Sequence, residues 1–288
     1  MKGIFIENSF YKSKAVDEIY DKLNNAAIAA GIKLDRADNA DYIQRIDKLD
    51  CFDEFDFCIF WNKDIIMAKA LEKRGLKVFN SAQAIEICDN KALTHLMLSD
   101  VVPMPHTYLV PFTYENTGYT HCDFLDYFEN ELGYPYVIKE CFGSLGTGVY
   151  LAKDKVSAKA IIKKCDGIKL IAQEFVDRLG EKEYSDIRAY FVGNRCVASM
   201  QRYMENDFIV NVANGGNVRD YTLTSEEIKL CLLVMKTLDL DFAGIDILHS
   251  KNGPLICEVN SNAQFNALEQ ISRTNVAQAI IDYIIERV

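Results

Sequence analysis

Three glycines follow a lysine in a pattern that suits the binding of a phosphate group. In residues 136–151 an apolar stretch containing Lys139 leads into a loop with Gly143, Gly146 and Gly148, and a second apolar stretch follows. This order predicts a strand, a turn and a strand. Glycines let backbone N–H groups approach an anion closely, and the lysine supplies a positive charge for the same anion. The segment is therefore a candidate phosphate-binding hairpin.

The spacing of these glycines differs from that of two better-known phosphate loops. A dinucleotide fingerprint needs G-x-G-x-x-G at the start of a helix, and a P-loop needs G-x-x-x-x-G-K-[ST]. This chain has G-x-x-G-x-G, with its lysine before the loop. An ordinary glycine-rich β-hairpin is the alternative interpretation of the same residues.

A second set of polar residues lies on two predicted strands nearer the C-terminal end. Asp246 interrupts an apolar strand, and Glu258 and Asn260 end the next one. Residues two apart on a strand point to the same face, and Asp246 can lie opposite them across the turn. A few carboxylate and amide oxygens suit Mg²⁺ that is shared with substrate phosphates. The alternative is a set of solvated turn carboxylates, although the apolar neighbours make an unpaired charge costly there.

The N-terminal part of the chain alternates predicted strands with helices. Strands are expected at Lys2–Glu7, 32–34, 55–61 and 76–79, and helices over 16–30 and 63–74. This alternation predicts a small doubly wound α/β domain over residues 1–87. The domain has no glycine fingerprint, so no dinucleotide is assigned to it.

The remaining elements are predicted from periodicity, caps and turn residues. Pro103 and Pro105 indicate an extended linker, and Gly193-Asn194 indicates a hairpin turn. Thr224 and Glu227 form a capping-box pattern, and residues 214–217 are expected to be a loop. Helices are expected over 81–87, 89–98, 123–132, 154–165, 224–238 and from about Thr274, and strands over 106–110, 170–175, 186–192, 196–203, 241–248 and 255–259.

Composition limits the class of protein. The 288 residues are 49% hydrophobic and 26% charged, which suits two or three compact lobes. The net charge of −10 and the lack of a dense basic cluster argue against nucleic acid as a partner.

No apolar stretch reaches the length of a membrane span and no secretory signal is evident, so a cytoplasmic protein with no membrane partner is expected. The nine cysteines are scattered and are expected to be reduced and mostly buried.

Taken in order, these motifs resemble the ATP-grasp superfamily and, within it, the RimK-like glutamate ligases. The resemblance spans roughly residues 85–270, and the N-terminal α/β domain agrees with the layout of that family. It implies an N-terminal domain over 1–87, a small lobe with a glycine-rich lid over 88–172 and a large lobe with the metal site over 173–288. The matching stretches are Asp89-Asn90-Lys91 with residues 102–105, residues 136–139 with 143–149, residues 173–176, Asp186-Ile187-Arg188, Asn211 with Gly215-Gly216, Gly244-Ile245-Asp246 and Glu258-Val259-Asn260.

The resemblance also implies roles for individual residues. Lys91 and Lys139 would reach the phosphates of ATP, and the glycine-rich loop would close over them. Backbone groups of the hinge, most of all those of Glu174 and Val176, would face the adenine ring. Asp246, Glu258 and Asn260 would hold Mg²⁺ or Mn²⁺. The implied ATP-binding residues are Lys91, Lys139, Gly143, Ser144, Gly146, Thr147, Gly148, Gln173, Glu174, Phe175, Val176 and Asp186.

The reaction implied by this family is the joining of a carboxylate to an amine through an acyl phosphate, for example the addition of glutamate to a peptide, a protein or a small acid. Arg188 and Arg202, with Lys139, are the predicted catalytic residues, because a planar guanidinium pairs with two oxygens of an acyl phosphate or a carboxylate. Surface salt bridges are the alternative roles for the two arginines. A kinase of the same fold and a nucleotide-binding protein without catalysis are the alternative functions.

Two segments depart from the usual pattern of the family, and both are expected to shape the acceptor pocket. Residues 208–214 lack the basic or hydroxyl residues that usually flank the asparagine, and Ser261-Asn262-Ala263-Gln264-Phe265 replaces the small residue and proline that commonly follow the metal motif. The family likeness further implies a homodimer or a homotetramer.

Overall fold

The computed structural model describes residues 1–43, 45–48, 53–144, 146–177, 182–205, 207–210 and 215–288. Within these ranges the chain forms three β-sheets flanked by helices. Six residues that belong to features predicted above lie outside the described residues, namely Cys51, Leu145, Asn211, Val212, Ala213 and Asn214.

The N-terminal sheet is parallel and has helices on both faces. Its elements are β1 (Lys2–Glu7), α1 (Lys14–Ala29), β2 (Lys33–Asp38), β3 (Phe57–Phe60), α2 (Ile65–Lys73) and β4 (Lys77–Phe79). The strand order is β2-β1-β3-β4. Helix α1 shares a core with Phe5 and Phe57 on one face, and α2 shares a core with Ile6 and Phe60 on the other. Burial on both faces explains the apolar run at β3, and the predicted doubly wound domain is confirmed.

The second sheet is antiparallel and contains the glycine-rich hairpin. This part of the chain comprises α3 (Ala82–Asp89), α4 (Lys91–Leu98), β5 (Thr107–Leu109), α5 (Phe124–Leu132), β6 (Tyr136–Glu140), β7 (Val149–Ala152), α6 (Lys155–Lys164) and β8 (Leu170–Glu174). The strand order is β5-β8-β6-β7. Val137 lies opposite Gln173, and Lys139 follows two residues later on the same face. The register therefore brings Lys139 and Gln173 together.

The third sheet is antiparallel and carries the predicted acidic and arginine residues. Its part of the chain comprises β9 (Tyr184–Val192), β10 (Arg195–Met204), β11 (Asn217–Asp220), α7 (Ser225–Thr237), β12 (Phe242–Ser250), β13 (Gly253–Asn260), α8 (Asn266–Ser272) and α9 (Val276–Ile285). The strand order is β11-β10-β9-β12-β13. Helix α7 begins with the predicted capping box of Thr224 and Glu227.

Two short elements were absent from the sequence-based prediction. Strand β11 has exposed residues at three of its four positions and pairs with β10 only over residues 217–220, so it shows no apolar alternation. Helix α8 has seven residues, of which only Leu268 is buried, and no side chain caps its start. Both elements depend on packing against neighbours that are distant in sequence.

One apolar core joins the N-terminal domain to the third sheet. The ring of Trp61, just after β3, lies 6.4 Å from the ring of Phe242 and 6.3 Å from that of Phe265. Helix α9 packs beside α1 in the same core. The C-terminal helix thus packs against the N-terminal domain. This packing holds the ends of β1 and β3 next to the segment after β13.

Two further features bear on the class of protein. The eight cysteines in the described ranges are free thiols, and six of them are buried. Within those ranges, every helix is too short or too polar to cross a membrane.

Asn80 connects the N-terminal domain to the third sheet through four hydrogen bonds. Its Nδ2 donates to the carbonyls of Phe242 and Ser261, and its Oδ1 accepts from the N–H groups of Asp241 and Phe242. The side chain is fully buried. Its partners would be left without hydrogen bonds if the amide were removed.

We expect Asn80→Ala to lower the free energy of unfolding by about 3 kcal/mol, because it leaves buried backbone groups unpaired. Urea denaturation measures the change. Asn25→Ala, at an exposed position on α1, is the control and should change the free energy by less than about 0.5 kcal/mol. Equal stability of the two variants would contradict this role for Asn80.

Candidate active site

A cavity of about 880 Å³ lies between the three sheets and brings together most of the predicted site residues. Those that line it are Lys91, Lys139, Gly143, Ser144, Gly146, Gln173, Glu174, Phe175, Val176, Asp186, Arg188, Arg202, Asp246, Glu258 and Asn260. Thr147 and Gly148 do not line it. Thr147 closes the loop on itself through hydrogen bonds to the carbonyl of Ser144, and Gly148 packs against Glu140.

Lys139 connects the second sheet to the third. Its Nζ lies 2.5 Å from Oε1 of Gln173 on the neighbouring strand and 3.7 Å from Sγ of Cys257 on β13. Cys257 and Glu258 both line the cavity, so the ammonium group lies near the predicted metal residues. The arrangement sets a cation of one sheet against carboxylates of another within one cavity.

A buried cluster fixes the side chain of Gln173. Its Nε2 lies 3.0 Å from Nε2 of His95 and donates to Oγ1 of Thr107 at 2.8 Å, which turns Oε1 toward Lys139. Burial lowers the pKa of His95 to about 4, and the charge of Lys139 contributes to the shift. The imidazole is therefore neutral near pH 7 and can accept the amide N–H. The sequence analysis missed this role of His95, whose only signal was a polar residue on the buried face of α4.

Lys91 approaches both the glycine-rich loop and the predicted metal site. It is the first residue of α4, whose start is capped by the side chain of Asn90. Its Nζ donates to the carbonyl of Gly143 at 2.9 Å and lies 3.6 Å from Oε1 of Glu258. Gly143 and Gly146 have φ of +136° and +79°, which side chains other than glycine adopt with strain.

The hinge at residues 173–176 combines an aromatic patch with backbone groups that are partly engaged in hydrogen bonds. The N–H of Glu174 donates to the carbonyl of His106, and its carboxylate accepts from the N–H of His106. That N–H is thus engaged within the sheet, and the contact of Glu174 and Val176 backbone groups with adenine stays a prediction. The Phe175 ring packs edge-on against Tyr184 and Phe208, with centroids 6.1 and 5.8 Å away. These three aromatic side chains line one end of the cavity and suit a flat ring.

The floor of the cavity is a network of two arginines and two aspartates. Arg188 pairs with both oxygens of Asp246, and Arg202 pairs with both oxygens of Asp186 at 2.7 and 2.6 Å. Arg202 also lies 3.0 Å from Asp246. The two arginines were predicted to hold an acyl phosphate or a substrate carboxylate, with salt bridges as the alternative, and here both pair with carboxylates of the protein. Burial raises the pKa of Asp246, yet Arg188 and Arg202 outweigh it and hold that pKa below its usual range.

Gly244 makes room for this network. A Cβ at this position would lie 2.5 Å from Cβ of Ala263 and 3.1 Å from Cδ of Arg188. Any larger residue would therefore clash with Ala263 and press on the arginine side chain. The glycine of the Gly244-Ile245-Asp246 motif is explained by packing against Ala263 and Arg188.

The predicted metal residues form a row at the edge of the third sheet. Asp246 lies opposite Glu258, and Gly244 lies opposite Asn260. Asp246 is buried and paired with the arginines, the side chain of Glu258 is 33% exposed, and the buried Nδ2 of Asn260 has no hydrogen-bond partner. In the described ranges no group of three or more His, Cys, Asp and Glu residues forms a metal site. Two carboxylates and one amide fit a cation that takes its other ligands from water and phosphate, as Mg²⁺ does.

Several residues of the N-terminal domain also line the cavity, and the sequence analysis did not single them out. Asn8 and Tyr11 follow β1, and Asn62 and Lys63 follow β3. In open α/β sheets the carboxyl ends of strands commonly border the ligand crevice. The predicted positions of β1 and β3 were thus the available signal.

Solved structures identify the fold. The chain aligns with the RimK domain protein ATP-grasp from Sphaerobacter thermophilus with a TM-score of 0.73 and 18% identity, over 98% of this chain and 99% of that one. It also aligns with the D-alanine–D-alanine ligase from Bacillus anthracis in complex with ATP, with a TM-score of 0.71 and 17% identity, over 99% and 96% of the two chains. The protein has an ATP-grasp fold.

The family model of the RimK-like ATP-grasp domain matches residues 88–284, and the chain belongs to this family. A probable alpha-L-glutamate ligase from Coxiella burnetii is 38% identical over 173 residues, which are 58% of this chain and 56% of that protein. The match thus spans little more than half the length of this relative.

We expect Arg202→Met to lower the free energy of unfolding by about 3–5 kcal/mol near pH 7, because Asp186 and Asp246 would lose a buried partner. Burial already raises the pKa of the Asp186 carboxyl, and in the folded variant that pKa should rise further because its Arg202 partner is gone. Protonation would then favour the folded state as the pH falls, and the loss should be smaller near about pH 5. Urea denaturation at both pH values measures this difference.

Arg195→Met is the matched control for Arg202→Met, since Arg195 lies on the same strand at an exposed position. It should change stability by less than about 0.5 kcal/mol at either pH. A loss for Arg202→Met that is equal at the two pH values would argue against buried carboxylates as its cause.

Proposed function

We propose that the protein is an ATP-dependent carboxylate–amine ligase that works through an acyl phosphate. One observation carries the proposal. Lys91, Lys139 and Glu258 line a single cavity, with Nζ of Lys91 3.6 Å from the Glu258 carboxylate. This arrangement suits a triphosphate whose charge is shared between ammonium groups and a divalent cation.

Each proposed residue would act on one part of the reaction. Lys91, Lys139 and the 143–148 loop would hold the phosphates, and the aromatic patch at Phe175 would take the adenine ring. Gln173 would keep Lys139 in place through its Oε1. Asp246, Glu258 and Asn260 would hold Mg²⁺, or Mn²⁺ with the same donors, which supplies positive charge to the phosphate oxygens when bound.

The proposed chemistry proceeds in two displacements. A carboxylate oxygen attacks the γ-phosphorus, and the bond from that phosphorus to the bridging oxygen of ADP breaks. The amine nitrogen then attacks the acyl carbon, the bond from that carbon to the phosphate oxygen breaks, and phosphate leaves with the electron pair while the amine gives up a proton to solvent. The first step makes the carboxylate a better electrophile. Holding both reactants in one cavity removes much of the entropic cost of the second.

The arginine network would act mainly on the position of the metal residues. Arg188 and Arg202 hold Asp246 in place, so the carboxylate would need no rearrangement of the sheet to face the cation. The contact of the two guanidinium groups with an acyl phosphate or a substrate carboxylate stays a prediction. The name of the Coxiella burnetii relative makes glutamate one amine to test.

The proposed ligase should form a hydroxamate from hydroxylamine when it is given ATP, Mg²⁺ and a carboxylate substrate, because hydroxylamine traps an acyl phosphate. The assay uses a panel of amino acids and acidic peptides and measures ADP and hydroxamate together. We expect equal amounts of the two products. Full ADP release without any amine, with a stable phosphorylated product, would instead identify a kinase.

We expect Lys139→Ala to reduce kcat/KM for ATP by about 10²–10³-fold, since it removes one charge from the proposed triphosphate site. Lys159→Ala, at an exposed position on α6, should retain full activity. Thermal unfolding of both variants checks that they fold. Full activity of Lys139→Ala would place the phosphate site elsewhere.

A further inference from the structure

The cavity extends beyond the predicted metal residues toward the N-terminal domain. One wall of this extension is formed by residues that come after the neighbouring strands β1 and β3 in the chain. The other wall is formed by residues that come after β13. Both walls are rich in carboxamide side chains. We call this part of the cavity the amide arm, and its carboxamide residues are Asn8, Asn62, Asn262, Gln264, Asn266 and Gln270.

Three of these six carboxamides hydrogen-bond to backbone groups in the walls of the arm. Oδ1 of Asn8 accepts from the N–H groups of Phe10 and Tyr11, and Oδ1 of Asn62 accepts from the N–H of Lys63. Nδ2 of Asn266 donates to the carbonyl of Ala15. These bonds hold the loops after β1 and β3 and fix helix α8 against α1. The three side chains are therefore largely used by the protein.

The other three carboxamides have unused hydrogen-bonding capacity. Nδ2 of Asn262 donates to the carbonyl of Asn62, which fixes the orientation of this amide, and its buried Oδ1 has no partner. Gln264 and Gln270 are exposed, and neither side chain hydrogen-bonds to another described residue. A carboxamide both donates and accepts, so such a wall matches the N–H and C=O groups of a peptide or of another carboxamide.

Among its described lining residues, the arm offers no unpaired cation to a second carboxylate. Glu7 and Glu18 line it and are paired with Arg36 and Lys14, and Lys63 is the one cation there. Lys63 is paired with Asp89. Arg188 and Arg202, which lie deeper in the cavity, are paired with aspartates. A free carboxylate in this arm would thus lose water without gaining an unpaired guanidinium.

We propose that the amide arm binds the amine co-substrate through a neutral amide portion, so that the ligase uses an amino acid amide or the N-terminal end of a peptide in preference to a free dicarboxylic amino acid. This inference rests on the proposed ligase function. The amine would point toward Asn260 and the acyl phosphate, and its amide groups would face Asn262, Gln264 and Gln270. The departure of residues 261–265 from the usual family pattern falls in this wall.

Three probes that share the same carbon skeleton test the proposal. L-Glutamate, L-glutamine and L-glutaminamide carry two, one and no carboxylates. Their binding to the full chain is measured by calorimetry in the presence of Mg²⁺ and a non-hydrolysable ATP analogue. We expect L-glutaminamide to bind about tenfold or more tightly than L-glutamate, with L-glutamine between them. Equal or tighter binding of L-glutamate, or no binding of any probe, would overturn the proposal.

A second test replaces one carboxamide of the amide arm with a charged side chain. Gln270→Arg adds an unpaired guanidinium to the arm, and it should reduce or reverse the preference by strengthening the binding of L-glutamate about tenfold. Gln83→Arg, at an exposed position of α3 outside the cavity, should leave the preference unchanged. An identical order of affinities in both variants would argue that the probes bind elsewhere.

Binding of the nucleotide is measured first, so that the two proposals fail in different ways. If the ATP analogue does not bind, the proposed ligase function is wrong. If the analogue binds and L-glutamate is preferred, the ligase function stands and only the role of the amide arm is wrong.

Discussion

The ion-pair network on the floor of the cavity is the constraint on which the rest of the site depends. Four charged groups, Arg188, Arg202, Asp186 and Asp246, lie on three neighbouring strands of one sheet and are largely removed from water. Buried charges are tolerated only when they are paired and hydrogen-bonded. The register of the strands must therefore hold to within one residue, because a slip would turn each of these side chains to the other face. The same register places Asp246 opposite Glu258.

The position of the site follows from the way the three sheets meet. The second sheet supplies Lys139, and the third supplies Glu258 from the end of β13. The N-terminal sheet closes the remaining side, because α9 packs on α1 and the ring of Trp61 contacts those of Phe242 and Phe265. No single domain contains the cavity. Lys139 and Glu258 come from different lobes, so a ligand that carries both phosphates and a divalent cation would hold the lobes together.

Buried polar side chains that carry no charge fix the positions of other groups around the site. Gln173 is held by His95 and Thr107, so its oxygen can face only Lys139. Asn80 links the N-terminal domain to the carbonyl of Ser261, next to the residue that would hold the metal. Such fully bonded amides specify one arrangement, since any other would leave buried groups unpaired. The amide arm lies beyond these clusters, and three of its six carboxamides still have free hydrogen-bonding capacity.

The sequence by itself determined the types of the main elements and the chemistry of the two motifs. Periodicity, turn residues and caps are local signals, and they predicted the doubly wound N-terminal domain, the glycine-rich hairpin and the strands that carry Asp246 and Glu258. Tertiary structure alone decided that the two arginines pair with aspartates, that His95 supports Gln173 and that the ends of β1 and β3 line the cavity. Those contacts join residues far apart in the chain. Their geometry depends on strand register and on the packing of whole sheets, which no local pattern of residues encodes.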